Sequence, residues 1–279
     1  MESSFSSFLS VETGVPQGSI LGPLLFVIFL NDLPFSVSEP IEDSDIVVYA
    51  DDNTPITVHQ DPAILESNVQ KMAKLATEWI TDNKLACSGE KTKLLVIGTP
   101  QNRRSKLGGH VLSAEVCGDQ VQESDAENLL GIVVNQTGTW HNHLHGYMDG
   151  DKKKSGLLKK LSQRVGILSR VRRYMSTRRF SMIANGLFNS KLIYGISVWG
   201  GVWNLPGVFD LEKRNSPTLT KEDNRQLQVL QNRVCRLITG LPLETRVHDN
   251  IVGSIKTAEC SAASSLPLYS ASVQNLPYT

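Results

Sequence analysis

Two adjacent carboxylates, Asp51 and Asp52, stand in the stretch Tyr49-Ala50-Asp51-Asp52-Asn53. Ile46 to Tyr49 has strand composition, and Thr54 to Val58 alternates as a second strand, so the sequence predicts a hairpin with two acids at its tip. Hard divalent cations such as Mg²⁺ take oxygen ligands, including a few carboxylates, and leave the rest of their shell to water and phosphate. Ions held in this way lower the pKa of an attacking hydroxyl and stabilise a leaving oxyanion. Taken alone, Asp-Asp-Asn is equally an ordinary turn chosen for its backbone preferences. Its surroundings decide between the two readings.

A second chemistry is written in charge. The chain of 279 residues has 28 Lys and Arg against 28 Asp and Glu, a formal net charge of zero. Residues 1–100 hold 14 acids and 5 bases, or −9, whereas residues 151–180 hold 11 bases and the single acid Asp151, or +10. Such a block suits nucleic-acid phosphates, and its candidate contacts are Lys152, Lys153, Lys154, Lys159 and Lys160. A solvated basic helix is the plain alternative. The alternating His141, His143 and His145 have the look of zinc ligands, but no fourth ligand lies nearby, and we set metal binding there aside.

Cys87, Cys117, Cys235 and Cys260 lie far apart without a CxxC pair and read as reduced intracellular thiols. The N-terminus has no basic residues ahead of its apolar ones and makes a poor secretory signal. No apolar stretch reaches the ~18 residues a membrane helix needs. The chain is therefore expected to be intracellular and off the membrane, with nucleus and cytoplasm undistinguished.

The elements that must position these residues follow from local signals. A short strand is expected over 6–13, leading into the loop Gly14-Val15-Pro16-Gln17-Gly18-Ser19, and Ser19 could cap a buried helix running from Ile20 to the breaker Pro34. Leu24, Leu25, Phe26, Ile28 and Leu30 are expected in the core. Asp61 can cap the best helix, with Pro62 at its first position. Leu65, Val69, Met72, Ala76, Trp79 and Ile80 line one face of that helix. Strands are expected at 94–97, around 109–116 and at 129–134. Helices are expected at roughly 152–170, 177–198 and 220–239, the last stopped by Gly240. The Ser- and Ala-rich tail after about residue 256 reads as disordered.

The segment GVPQGSILGPLLFVIFLNDLP followed by YADD resembles two palm motifs of reverse transcriptases, and its wording is nearest to the non-LTR (LINE-type) retrotransposon enzymes. Trp79, Asn83-Lys84-Leu85 and Lys91-Thr92 resemble a later element of that family, with Ser88 where Asn is usual. Leu130-Gly131 with Trp140 and His143 resembles another, with Asn135 where Asp is usual. Tyr194-Gly195, Val198-Trp199 and Leu230 to Arg233 are similar to the thumb and the segment beyond it. The resemblance covers roughly residues 8–240 in family order.

It implies an α+β fold: an incomplete reverse-transcriptase palm (a hairpin with packed helices) over 1–145, an all-helical thumb-like region over 146–255, and a tail over 256–279. It implies that Asp51 and Asp52 bind Mg²⁺ or Mn²⁺ when a complete site is formed. Gln17 and Gly18 would position the template–nucleotide pair, Gly18 because the backbone must approach closely there. Lys91 would neutralise the triphosphate or donate a proton to pyrophosphate. RNA template, DNA primer and deoxynucleoside triphosphates are the implied partners. The family's first palm aspartate and its fingers have no counterpart here, so the chain is expected to be inactive alone. A nucleic-acid-binding remnant without catalysis, or an inert retroelement product, would share the same fold.

Overall fold

Asp61 and Pro62 start the longest helix among the described residues where the sequence places it: α3 spans Pro62–Asp82, and the Asp61 side chain accepts from the Ala63 N–H at 2.8 Å. The computed structural model describes Gly14, residues 18–200 and residues 219–241. Contacts divide the chain into a unit of residues 1–127 with 136–138 and a unit of residues 128–135 with 139–279. The predicted strand at 6–13 and the tail after 256 lie outside the described residues.

In the first unit, α1 (Gly22–Phe29) and α2 (Leu33–Val37) precede the hairpin β1 (Ser44–Tyr49) and β2 (Asp52–Thr57). Leu30, Leu33, Val37, Ile41, Ile46, Met72 and Trp79 form its buried cluster. Helix α1 departs from expectation. Ser19 does not cap it; Leu21 holds that place, with no side-chain bond. Leu24, Leu25, Val27 and Ile28 are 47–64% exposed, whereas Phe26 is half-buried and, of the expected core residues, Leu30 at its C-cap is the one fully buried. The helix is apolar on every side and the first unit covers one side of it, so Leu24, Leu25 and Ile28 are surface and not core.

Beyond α3 a short 3₁₀ turn, Gly89–Lys91, leads to α4 (Pro100–Asn102) and to the hairpin β3 (Ser113–Val116) and β4 (Asp119–Gln122). The expected strand at 94–97 reduces to one bridge, Leu94 to Glu123. Arg103 fixes that segment instead, donating to the Val96 carbonyl at 2.8 Å and to the buried Glu123 carboxylate at 2.6 Å. Cys87 and Cys117 are joined in a disulfide with Cα atoms 6.1 Å apart, which corrects the reading of these two as free thiols. Sequence distance misled here, because α3 packs against β3 and returns the chain to the same place.

The strand β5 (Ala126–Leu129) runs across the division between the units, and the second unit holds β6 (Ile132–Asn135), then α5 (His141–His145) and the hairpin β7 (Gly146–Asp149) and β8 (Lys152–Ser155). Four helices follow, α6 (Leu157–Val171), α7 (Thr177–Ala184), α8 (Ser190–Ile193) and α9 (Ile196–Trp199), and α10 (Lys221–Thr239) comes after. The region after 145 is thus mixed, not all-helical. Lys152–Ser155 is strand because Gly150 (φ +56) turns the chain, and because Gly156 packs so closely on the Leu144 carbonyl that no Cβ would fit. Helix α10 begins on a capping box between Thr220 and Asp223 and ends at Gly240 (φ +74), the predicted stop. Leu161, Leu168, Phe180, Phe188 and Trp199 are the fully buried centre of this unit. Among the described residues no helix is long and apolar enough to cross a membrane.

Candidate metal centre and nucleic-acid interface

The β1–β2 register pairs Tyr49 with Asp52, leaving Ala50-Asp51 as a two-residue tip. Ala50 takes the left-handed backbone (φ +52) that so tight a reversal needs. Side chains opposite one another in a sheet share a face. Asp52 therefore lies on the face of Tyr49, Val47 and Ile56, all exposed, while Ile46 and Val48 turn inward toward the core. Asp51 and Asp52 are both exposed, and neither carboxylate has a protein donor or ion-pair partner among the described residues. The expected tip Asp51-Asp52-Asn53 is thus shorter than the sequence suggests, since Asp52 and Asn53 already pair in β2; one carboxylate on the turn and the next on the first strand residue still fit the donor chemistry of a hard divalent cation. Among the described residues no group of three His, Cys, Asp or Glu gathers there or elsewhere.

Gln17 lies outside the described residues. Gly18 has φ +83, with no protein atom within 4 Å of where a Cβ would sit, so glycine is selected there by backbone conformation while the space above it is open. Lys91 ends the 3₁₀ turn with its side chain exposed. The turn is seated firmly: Gly89 is buried so closely against Asp119 and the Val116 carbonyl that a Cβ would clash, and the nearby Cys87–Cys117 bond ties the same loop to the β3–β4 turn.

In the second unit the separate motifs of residues 130–145 and 194–199 meet. The Tyr194 hydroxyl donates to the Leu130 carbonyl at 2.6 Å, and the ring crosses Gly131, where a Cβ would lie 3.2 Å from it. Gly195 (φ +62) packs on Ile132. The Trp199 indole N–H donates to the Tyr194 carbonyl at 2.8 Å, and the Trp199 ring lies 5.5 Å from His143. The Val133 N–H donates to His143 Nδ1 at 3.2 Å, which puts the imidazole proton on Nε2; that buried atom has no partner among the described residues. Burial first, then the positive charges of Lys191 and Lys160, lower the His143 pKa to about 4. His143 is thus a neutral structural residue.

His145 Nε2 lies 2.7 Å from Asp223 Oδ1. Burial pushes the Asp223 carboxyl up, but hydrogen bonds from Thr220 and His145 outweigh it and hold the group below the usual carboxylate range. Sequence reading did not find this pair, which joins residues 78 positions apart.

Of the five candidate phosphate contacts, Lys152, Lys153 and Lys154 are exposed on β8, and Lys159 and Lys160 on α6. The pleat puts Lys152 and Lys154 on one face of the hairpin and Lys153 on the other. Lys154 is tied to Asp149 at 3.4 Å, and the other four have no ion pair among the described residues. Farther along, Tyr174 is 73% exposed with the Arg173 guanidinium 4.7 Å from its ring.

Comparison with known proteins is consistent with these motifs. The family model described as reverse transcriptase (RNA-dependent DNA polymerase) matches residues 2–134. The chain is 24% identical over 248 residues to the RNA-directed DNA polymerase from mobile element jockey of Drosophila melanogaster, an alignment covering 88% of this chain and 24% of that protein. It is 23% identical to the probable RNA-directed DNA polymerase from transposon X-element of the same fly, covering 85% and 23%. It is 24% identical to the probable RNA-directed DNA polymerase from transposon BS, covering 88% and 24%. The chain spans about a quarter of the length of these curated relatives. No solved structure matches it.

Proposed function

We propose that this chain, whose residues 2–134 match the reverse transcriptase family model, is the hairpin-bearing and thumb portion of a retrotransposon RNA-directed DNA polymerase, acting on RNA template, DNA primer and deoxynucleoside triphosphates. The observation that carries the reading is the YADD tip, where Asp51 and Asp52 present carboxylates free of protein donors among the described residues. These two residues would hold Mg²⁺ or Mn²⁺, and bound ions would supply activation of the primer 3′-hydroxyl and charge stabilisation on the leaving pyrophosphate. Gly18, which has open space above it, and its sequence neighbour Gln17 would position the template–nucleotide pair. Lys91, on its braced turn, would meet the triphosphate.

Transfer between two ions needs carboxylates on both sides of them, and Asp51 with Asp52 forms one side. Catalysis by this chain then requires a third carboxylate from a segment lying along the hairpin, and the exposed Val47, Tyr49 and Ile56 offer the apolar face such a segment would cover. The test is primer extension on an RNA template with Mg²⁺. Three samples are compared: the chain alone, the chain mixed with a fragment bearing the family's fingers and first palm motif, and that mixture with Asp51→Ala. We expect extension in the second sample only. Extension by the chain alone would remove the need for a third ligand, and extension that survives Asp51→Ala would remove that residue's role.

A second reading, a nucleic-acid-binding remnant without catalysis, is favoured by the unpaired cations of β8 and α6. It predicts duplex binding with no extension in any of the three samples.

A further inference from the structure

A shallow, open recess of about 350 Å³ lies on the second unit, lined by Gly131, Arg164, Gly186, Leu187, Ser190, Lys191 and Tyr194. Its wall is built from α6, from the π-helical turn Asn185–Asn189, and from the start of α8. Arg164 reaches across from α6 and donates one guanidinium N–H to the Leu187 carbonyl in that turn. Its remaining donors have no protein partner among the described residues. Lys191 Nζ sits 5.4 Å over the Tyr194 ring, and that ring is itself anchored by its hydroxyl on Leu130. Lys160 stands one helical turn before Arg164 on the same face of α6. Ser190, whose hydroxyl donates to the Gly186 carbonyl, keeps its oxygen lone pairs as acceptors only.

Three cations therefore converge with no carboxylate in ion-pair reach among the described residues. Such a cluster is repulsive by itself, and the ammonium records this: burial, then Lys160 and Arg164, lower the Lys191 pKa from its ordinary value. In the basic block Lys152, Lys153, Lys159, Arg170, Arg178 and Arg179 are exposed with no ion pair among the described residues, so the half-buried Lys191, which lies outside that block, is not held against other cations as a consequence of composition. Spare guanidinium and ammonium donors in a recess suit a compact, multiply charged oxyanion with several acceptor atoms.

We infer that this recess binds a phosphate oxyanion, held by Arg164 and Lys191 with Lys160 at its rim. The source of the phosphate is either a nucleic-acid backbone or a free anion. The inference does not depend on the polymerase reading, since binding is measured without primer or metal.

The experiment is calorimetric titration of the full chain with inorganic phosphate at constant ionic strength, for wild type, Lys191→Gln and Arg164→Lys. We expect saturable binding by wild type and a loss of about tenfold or more in Lys191→Gln, since one charge-assisted partner is removed. Arg164→Lys keeps the charge but gives up the fork, so it should bind with intermediate affinity. Thermal unfolding in chloride alone should leave Lys191→Gln as stable as wild type or more so, because a like charge is relieved. Equal phosphate affinity in wild type and Lys191→Gln, or none in wild type, overturns the inference. A second titration uses a single-stranded oligonucleotide without terminal phosphates. If Lys191→Gln lowers its salt slope by about 0.7, the recess takes a backbone phosphate. An unchanged slope with lost inorganic phosphate binding assigns a free anion.

Discussion

His143 should make the second unit acid-sensitive in a defined window. Its imidazole is 6% exposed, accepts from the Val133 N–H, and has its pKa lowered from 6.5 to about 4 by burial and by Lys191 and Lys160. The unfolded chain thus takes up a proton before the folded one does, and stability rises with pH wherever that is so. The contribution is complete above pH 6.5, is lost as pH falls from 6.5 toward 4, and changes no further below that. The whole difference is about 3 kcal/mol, at 1.36 kcal/mol per pKa unit. Between pH 7 and pH 5 the loss is about 2 kcal/mol, which for an m-value of about 2 kcal/mol/M moves the urea midpoint down by about 1 M. The assay is urea unfolding followed by circular dichroism at both pH values, for wild type and His143→Gln. Glutamine can still accept from Val133 but does not titrate. We expect the midpoint of wild type to fall by about 1 M more than that of the variant. Equal falls would refute the argument, because the acid sensitivity would then belong to other groups.

Reduction of the Cys87–Cys117 bond should destabilise the first unit. For a loop of 30 residues the chain-entropy relation gives about 3.5 kcal/mol, to be read from urea midpoints with and without dithiothreitol and in Cys87→Ser. Duplex DNA binding should fall steeply with salt, with a slope of about −5 if six phosphates are neutralised. Replacing Lys152, Lys153, Lys154, Lys159 and Lys160 by Ala should flatten that slope by 3 to 4 on a scale of about 0.9 per contact, with Lys154 contributing least because Asp149 already holds it. A slope unchanged by the substitutions would mark the block as a solvated face.

Legibility in the sequence tracked the range of the interaction that fixes each feature. Asp61 with Pro62 and the Gly240 stop are decided within a few residues, and each stands where local signals put it, while the β1–β2 hairpin is present with its turn at Ala50-Asp51 and its second strand beginning at Asp52 instead of Thr54. Lys152 to Lys154 carry no strand signal of their own, so local pattern assigns them to the helix that follows, whereas the structure pairs them as β8. The turn Asp149-Gly150-Asp151 was in plain view, but the packing of Gly156 on Leu144, which makes the strand necessary, is a contact of the folded chain. Cys87 with Cys117, His145 with Asp223, and Arg164 with Lys191 bring together residues from different elements, and no spacing rule brings such partners to notice. The carboxylates of the tip were legible because their chemistry and their turn are one local object.

Helix α1 shows where local reasoning stops in a different way. A helix hydrophobic all round is stable only when something covers each side. Here Leu24, Leu25, Val27 and Ile28 remain exposed, as do Val47, Tyr49 and Ile56 on the outer face of the hairpin. The expectation that α1 is buried followed from composition, and composition reports what a segment needs, not what its neighbours supply. The same stretch carries the longest resemblance to the polymerase motifs in the sequence, and much of its apolar surface is open in its own unit. On the proposed function these two facts have one cause: the residues that frame a polymerase site are selected to face other polypeptide and substrate. The fragment-mixing experiment then has a physical readout besides extension. Association that completes the site should cover α1 and the hairpin face, burying apolar area worth roughly 25 cal/mol per Å², and the mixture should resist urea better than either fragment alone.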